Sequence, residues 1–300
     1  MNHDLLNDTS SLLGQSTQTR RSFLKTSSVA GLGIGFAIAS EPVLAQAIKT
    51  DFTGIQAGES VIEYGSSKLP IYVARPSQIS KNLPVMLVIS EIFGVHEHIA
   101  DVARRFAKLG YLAIAPEFFY RAGDPQQLGT VAEIQAKIVS QTPDAQVLSD
   151  LRATINWAMK EGGSTQKIGI NGFCWGGRIV WLACEQIPEI KAGVAWYGRL
   201  TGDRTANFPF QPVDLVSVLK APVLGLYAGK DAGISMTSVN QMQEALKQAT
   251  KNPAAQASKF IIYPEAGHAF HADYRPSYRK EDANSGWSEA IKWFKDRGTI

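Results

Sequence analysis

Residues 170–180 read INGFCWGGRIV and place one of the two cysteines of the chain between glycines. Cys174 lies two positions after Gly172 and two positions before Gly176. An apolar strand pattern before this segment and a helix pattern after it predict a sharp strand-to-helix turn, with the thiol at its tip. The N-terminus of the helix favours a thiolate, the nucleophilic form of cysteine. The alternative is a small buried apolar side chain, which is the common role of a free cysteine.

A candidate acid and a candidate base follow later strand patterns. Asp231 comes directly after the apolar segment LGLYAG, and His268 follows the segment FIIYPEAG. Parallel strands bring the residues at their carboxyl ends to one edge of the sheet, so these side chains are expected near Cys174. Together they predict a Cys-His-Asp triad. The alternatives are a loop residue or helix N-cap for Asp231 and a surface imidazole for His268.

Glu91 directly follows the continuous apolar segment LPVMLVIS, which predicts a strand buried on both faces. A charged residue at such a place is either paired or functional. The backbone N–H groups of Ile92 and Trp175 are predicted to face the same mouth and to form an oxyanion hole. An ion pair between Glu91 and a nearby arginine is the alternative.

Other polar residues are weaker candidates. His96, His98, His268 and His271 lack the clustered cysteine or acidic ligands of a metal site, so we expect no metal and no cofactor. Tyr197, at the end of another predicted strand, either hydrogen-bonds substrate or is a core tyrosine with its hydroxyl at the rim.

Strand and helix patterns alternate through most of the chain. This order predicts an α/β fold, with a mostly parallel central sheet and helices on both faces. Residues 48–300 carry no Pro/Ser/Gly linker and are interpreted as one domain. Within them, residues 124–141 are predicted to form one helix.

Residues 1–47 form a different kind of segment, interpreted as a leader. TRRSFLK at residues 19–25 precedes an apolar run of eleven residues at 29–39, and small residues follow. This arrangement predicts a secretion signal cleaved after Ala45 or Ala47. The run is too short for a membrane span, which needs about 20 apolar residues, so no stable anchor is expected. The alternative is a basic leader that stays attached.

The leader resembles a twin-arginine (Tat) signal. That resemblance implies recognition by the Tat export machinery and a periplasmic or secreted protein.

If the segment after Cys174 is helical, Cys184 lies about 15 Å away along the helix axis. A disulfide needs Cα atoms within about 7 Å, so no bridge is expected. The net charge of +3 is too small and too evenly spread to indicate nucleic-acid binding.

The chain resembles the dienelactone hydrolase (carboxymethylenebutenolidase) family, which has the α/β-hydrolase fold. The matching motifs are SEIFG at 90–94, APEFF at 115–119, GFCWGG at 172–177, WYG at 196–198, AGKD at 228–231 and GHAF at 267–270. The resemblance implies that the residues matching the catalytic set of the family are Glu91, Cys174, Asp231 and His268. It also implies that the amides of Ile92 and Trp175 are the oxyanion donors, and that Glu91 holds the thiol until substrate binds.

The sequence differs from the family pattern at one position. The best-known members bind the substrate carboxylate with an arginine four residues after the histidine, where this chain has Ala272. Arg121, Arg199 and Arg275 are the alternative candidates for that contact. The favoured hypothesis is a cysteine hydrolase of a small ester or lactone. A broader carboxylesterase or thioesterase, and a non-catalytic binding protein on the same fold, are the alternatives.

Overall fold

The computed structural model of the protein describes residues 48–78 and 81–300, so the predicted leader lies outside the described residues. The strands of the described residues are β1 (Ile55–Tyr64), β2 (Ser67–Pro76), β3 (Leu83–Ile89), β4 (Leu112–Pro116), β5 (Gly163–Phe173), β6 (Ala192–Trp196), β7 (Val223–Ala228) and β8 (Lys259–Tyr263). Their α-helices are α1 (Glu97–Lys108), α2 (Val131–Lys137), α3 (Asp144–Lys160), α4 (Trp175–Gln186), α5 (Met236–Gln248), α6 (Pro253–Ala257) and α7 (Lys280–Asp296).

All eight strands form one sheet in the order β1-β2-β4-β3-β5-β6-β7-β8. Strand β2 is antiparallel to both β1 and β4, and every other neighbouring pair is parallel. The predicted mostly parallel sheet is therefore confirmed. The β1–β2 hairpin follows from the turn residues between two strand patterns.

The apolar run of β3 is explained by burial on both sides of the sheet. Val85 and Leu87 belong to the core on one face, whereas Met86 and Val88 belong to the core on the other. The first core includes residues of α3, α4 and α5, and the second includes residues of α1 and α7. Helices therefore cover both faces, as the sequence predicts. No helix of the described residues is both long and apolar enough to cross a membrane.

The single helix predicted over residues 124–141 is wrong. The structure has a 3₁₀ turn at Pro125–Gln127, helix α2, and a second 3₁₀ turn at Val139–Gln141. Helix α2 begins after Thr130, whose side-chain hydroxyl accepts a hydrogen bond from the backbone N–H of Glu133 at 3.1 Å. Asp124 caps the preceding 3₁₀ turn in the same way, since its side chain accepts the backbone N–H of Gln126. Two separately capped starts divide the segment into short pieces.

Candidate active site

Cys174 has a strained backbone. Its φ of 53° and ψ of −114° lie outside the regions that side chains favour, at a cost of about 1–3 kcal/mol. The backbone N–H of Cys174 donates to the carbonyl of Trp196 at 2.9 Å, which ties the turn to β6. Helix α4 begins at the next residue, so its unpaired N-terminal amides lie beside the thiol.

Close backbone contacts hold this turn in place. A Cβ atom on Gly172 would lie 2.4 Å from the carbonyl oxygen of Gly176. A Cβ atom on Gly176 would lie 2.5 Å from the carbonyl oxygens of Ile89 and Ser90. No real side chain tolerates such distances. The start of α4 is therefore packed directly against the end of β3, and Glu91 and Ile92 follow within the same region.

Asp231 and His268 form a directed pair. The Oδ2 atom of Asp231 lies 2.7 Å from Nδ1 of His268, and Oδ1 accepts the backbone N–H groups of Gly233 and Ile234. Since an ionised carboxylate only accepts, Nδ1 is the donor and Nε2 is left for another partner. The imidazole also interacts with the side chain of Cys174. The structure thus brings the three predicted side chains together in one chain of contacts.

The imidazole of His268 is held in its protonated form. Burial alone would lower the pKa of His268, but the charge of Cys174 and the hydrogen bond to Asp231 outweigh it and raise the pKa to about 10. The side chain is 21% exposed, so it lies at the rim of the site rather than sealed in the core.

Glu91 is buried beside this chain of contacts. Its Oε2 lies 3.2 Å from Nε2 of His96, and its Oε1 accepts the hydroxyl of Tyr274 at 3.4 Å. Burial alone would raise the pKa of Glu91, but the hydrogen bond and charge of His96, with the charge of His98, lower it to about 2. Glu91 therefore stays ionised. Its hydrogen-bond partners are His96 and Tyr274, and the charge of Arg275 also acts on it.

Two buried tyrosines lie near Glu91 and His268. The hydroxyl of Tyr197 is buried and has no hydrogen-bond partner among the described residues, and its ring lies 5.1 Å from that of His268. Burial raises the pKa of Tyr197, and the charges of Glu91 and Cys174 raise it further. The same two charges act on Tyr274. Sequence reasoning missed Tyr274, because its loop carries no motif besides the preceding histidines.

The three candidate arginines have different surroundings. Arg121 makes two hydrogen bonds to Asp150, at 2.8 and 3.0 Å, and further bonds to Tyr64 and Ser67, so its partners lie on the β1–β2 hairpin and α3. Arg199 is exposed after β6. Arg275 lies over the ring of Phe93 at 4.9 Å, and its charge acts on Glu91 and Cys174. Arg275 is the arginine of the three that the structure connects to the site.

The residues that carry the predicted oxyanion donors are Ile92, shortly after the end of β3, and Trp175, at the start of α4. The amide of Trp175 is the first of α4, and the amide of Ile92 donates to no backbone carbonyl within the described part of the chain. The indole of Trp175 packs against Phe119, with ring centroids 4.8 Å apart. No group of three or more histidine, cysteine or acidic side chains in the described ranges has the arrangement of a metal site.

The sheet order and the strand-to-helix turn at its centre define an α/β-hydrolase fold. Residues 69–298 match the dienelactone hydrolase family over most of the chain. The chain belongs to this family and is a hydrolase.

Relatives support this assignment over nearly the full length. A protein of Methylorubrum extorquens, provisionally named a carboxymethylenebutenolidase, is 50% identical over 97% of this chain and 97% of its own. An Escherichia coli K12 protein with the same provisional name is 47% identical over 88% of this chain and 96% of its own. A crystal structure from Klebsiella pneumoniae, provisionally named a dienelactone hydrolase, has 47% identity and a TM-score of 0.77, and covers 80% of this chain and 98% of its own.

Proposed function

We propose that the protein hydrolyses small esters or lactones through a thioester on Cys174. The observation that carries this proposal is the contact chain from Asp231 through His268 to Cys174, with the thiol on a strained turn at a helix N-terminus. This sequence of contacts from acid to base to nucleophile matches that of nucleophilic hydrolases, in which the acid orients the base and the base serves the nucleophile. The carboxymethylenebutenolidase names of the relatives support a lactone as substrate.

The reaction proceeds in two steps. The sulfur of Cys174 attacks the carbonyl carbon, and the amides of Ile92 and Trp175 stabilise the oxyanion. The C–O bond then breaks, His268 protonates the leaving oxygen, and an acyl thioester remains. In the second step His268 takes a proton from water, hydroxide attacks the thioester, and the acid product leaves with the thiol restored. Asp231 keeps the imidazole in the required orientation throughout.

Glu91 is proposed to control the charge on the thiol. In the described conformation the thiol contacts His268, whereas Glu91 contacts His96 and Tyr274. A carboxylate this close opposes a second negative charge when it faces the sulfur. When substrate binds, we expect Glu91 to leave His96, which removes the contact that lowers its pKa, and then to accept the thiol proton. Glu91 returns this proton to the sulfur when the acid product leaves.

The substrate is proposed to carry a carboxylate near its scissile bond. Arg275 supports this because it lies beside Tyr274 and Phe93 and its charge reaches Cys174. It lies three residues beyond Ala272, so it supplies the positive charge from a different position on the same loop. Tyr197 offers a buried hydroxyl donor nearby. Arg121, engaged by Asp150, is a poorer candidate for the same contact.

The deciding experiment combines turnover with intact mass. Cys174→Ala should lower hydrolysis of a lactone and of p-nitrophenyl acetate by several orders of magnitude, because the nucleophile is gone. Cys184→Ala is the matched control on the same helix, since Cys184 is fully buried and should leave most activity. Wild type should also show a transient acyl adduct on Cys174. Equal activity in both variants would exclude the mechanism.

The substrate panel separates the alternatives. Preference for lactones with a carboxylate supports the dienelactone-type reaction, and equal turnover of uncharged esters and thioesters supports a broad esterase. A permanent acyl adduct without turnover supports a binding protein.

Export is a separate proposal, supported by the twin arginines Arg20 and Arg21. In it the Tat machinery carries the folded protein to the periplasm and the leader is removed.

A further inference from the structure

Glu91 and Cys174 lie just past the ends of neighbouring strands. The parallel register of β3 and β5 pairs Ile89 with Gly172, and Glu91 and Cys174 each come two residues later. Neighbouring strands lie about 4.8 Å apart, so a carboxylate at one end is within a side-chain length of a group at the other. In the described conformation, however, Oε2 of Glu91 lies 3.2 Å from Nε2 of His96. The carboxylate is thus engaged by a histidine although the thiol is near.

His96 occupies a position that normally serves another purpose. It is the N-cap residue of α1, but its side chain makes no cap hydrogen bond. N-cap positions favour serine, threonine, asparagine and aspartate, whose short side chains accept from the first helical amides. A histidine here gives up that stabilisation. Its imidazole instead lies against the carboxylate of Glu91, five residues earlier in the chain.

The surrounding loop and rings fix the imidazole of His96. The backbone N–H of Gly94 donates to the carbonyl of Glu91, and that of His96 donates to the carbonyl of Gly94. The ring of Tyr274 meets the imidazole edge-on with centroids 4.9 Å apart, and the ring of His98 stacks on it at 6.2 Å. The imidazole is therefore a rigid partner for a carboxylate whose own side chain can rotate.

We propose that His96 is a positioning residue that keeps the carboxylate of Glu91 away from the sulfur of Cys174 until substrate binds. A carboxylate that faces the sulfur opposes formation of the thiolate. Held by the imidazole, the carboxylate stays in reserve as a proton acceptor and leaves the ionisation of the thiol unopposed. The inference rests on the proposed role of Glu91 and names the residue that regulates it.

The experiment is a double-mutant cycle on the full chain, measured by alkylation of Cys174 with iodoacetamide near neutral pH. The modified residue is identified by mass. His96→Ser should lower the second-order rate constant about tenfold, because the released carboxylate turns to the sulfur and opposes its ionisation. In the Glu91→Gln background the same substitution should change the rate constant less than about twofold, because no charged carboxylate is left to release.

Two results would overturn the inference. One is an unchanged or faster alkylation rate in His96→Ser. The other is an equal loss of rate in both backgrounds, because the imidazole would then act on the sulfur directly and not through Glu91. Alkylation uses no ester, so either result rejects the positioning role while the proposed hydrolysis is still decided by Cys174→Ala.

The stability of the variants separates positioning from a folding defect. Serine can cap α1, so His96→Ser should lower the unfolding equilibrium constant about threefold in urea unfolding. A slower alkylation that comes with a less stable protein would contradict the positioning role.

His96→Gln is the conservative variant. It retains a neutral donor, which holds a carboxylate less firmly than a charged donor does, so its alkylation rate should lie between those of wild type and His96→Ser. If His96→Ser does not fold, His96→Gln decides through the same cycle.

Discussion

Two histidine–aspartate pairs lie on the same side of the molecule and have almost the same geometry. Nδ1 of His268 lies 2.7 Å from Asp231, and Nδ1 of His98 lies 2.8 Å from Asp273. They differ in access and in what faces the second ring nitrogen. The His268 side chain is 21% exposed and contacts Cys174, whereas that of His98 is 1% exposed.

The second nitrogen of His98 has no hydrogen-bond partner among the described residues, and its ring packs against His271 and Tyr274, each at 5.4 Å. A carboxylate that orients an imidazole is therefore not sufficient for base catalysis. The imidazole must also reach a nucleophile and solvent. In the proposed mechanism the His268 pair meets both requirements, whereas the second nitrogen of His98 faces neither.

The largest expected difference between the pairs is in turnover. His268→Gln should lower kcat/KM for p-nitrophenyl acetate by at least about 10³-fold, because the base that serves Cys174 is lost. His98→Gln should stay within about tenfold of wild type and instead lower the free energy of unfolding by about 1–3 kcal/mol. Steady-state kinetics and urea unfolding measure both. Equal loss of turnover in the two variants would contradict the assignment of different roles.

A second difference concerns the carboxylates near each pair. Glu91→Gln should slow turnover by about 10²-fold, because a proton acceptor is removed. It should also speed alkylation of Cys174 by iodoacetamide near neutral pH, because one negative charge near the sulfur is gone. Glu97→Gln is the control, since Glu97 pairs with Arg104 in the network of the second pair. Unchanged alkylation and turnover in Glu91→Gln would make Glu91 a structural residue.

The smallest expected difference is in the pH dependence of stability. The pKa of His268 is raised to about 10. Its contribution to the free energy of unfolding is therefore complete below about pH 6.5 and is lost as the pH rises towards 10. Burial opposes ionisation of Asp273, but the hydrogen bond of His98 and the charges of His98 and Arg105 hold its pKa well below the usual range. The contribution of Asp273 to the free energy of unfolding is therefore present above about pH 3.9 and is lost as the pH falls.

Thermal unfolding from pH 3 to pH 10 tests this contrast. His268→Gln should remove most of the loss of stability on the alkaline side, whereas Asp273→Asn should reduce the loss on the acid side. Parallel curves for both variants and wild type would show that neither pair titrates with folding.

The sequence was sufficient to predict the mostly parallel sheet and to place Cys174, Asp231 and His268 after strands of that sheet. Continuous apolar runs and the glycines around Cys174 depend on local rules, and so do the positions of Asp231 and His268 after strands. The sequence could not predict the partners of Glu91. His96 is five residues away along the chain, but Tyr274 is brought in from a distant loop. Such contacts depend on loop paths, which no periodic pattern encodes.

The sequence could not choose among the three candidate arginines for the same reason. Arg121, Arg199 and Arg275 all follow strand ends or site loops, so sequence position does not separate them. Only the tertiary contacts do so, because Asp150 engages Arg121 and the ring of Phe93 lies under Arg275. The broken helix at residues 124–141 is a similar case, in which local capping outweighs apolar periodicity.

The crowded glycines of the turn have a consequence for mutational tolerance. A Cβ atom on Gly198 would lie 2.3 Å from the backbone carbon of Gly177, and Gly176 is as tightly placed. Even alanine at these positions must displace main chain. In a saturation mutagenesis screen for activity, these glycines should therefore be as intolerant as Cys174, although they do no chemistry. The positions that tolerate no substitution would then be those that shape the turn, and not only those whose side chains react.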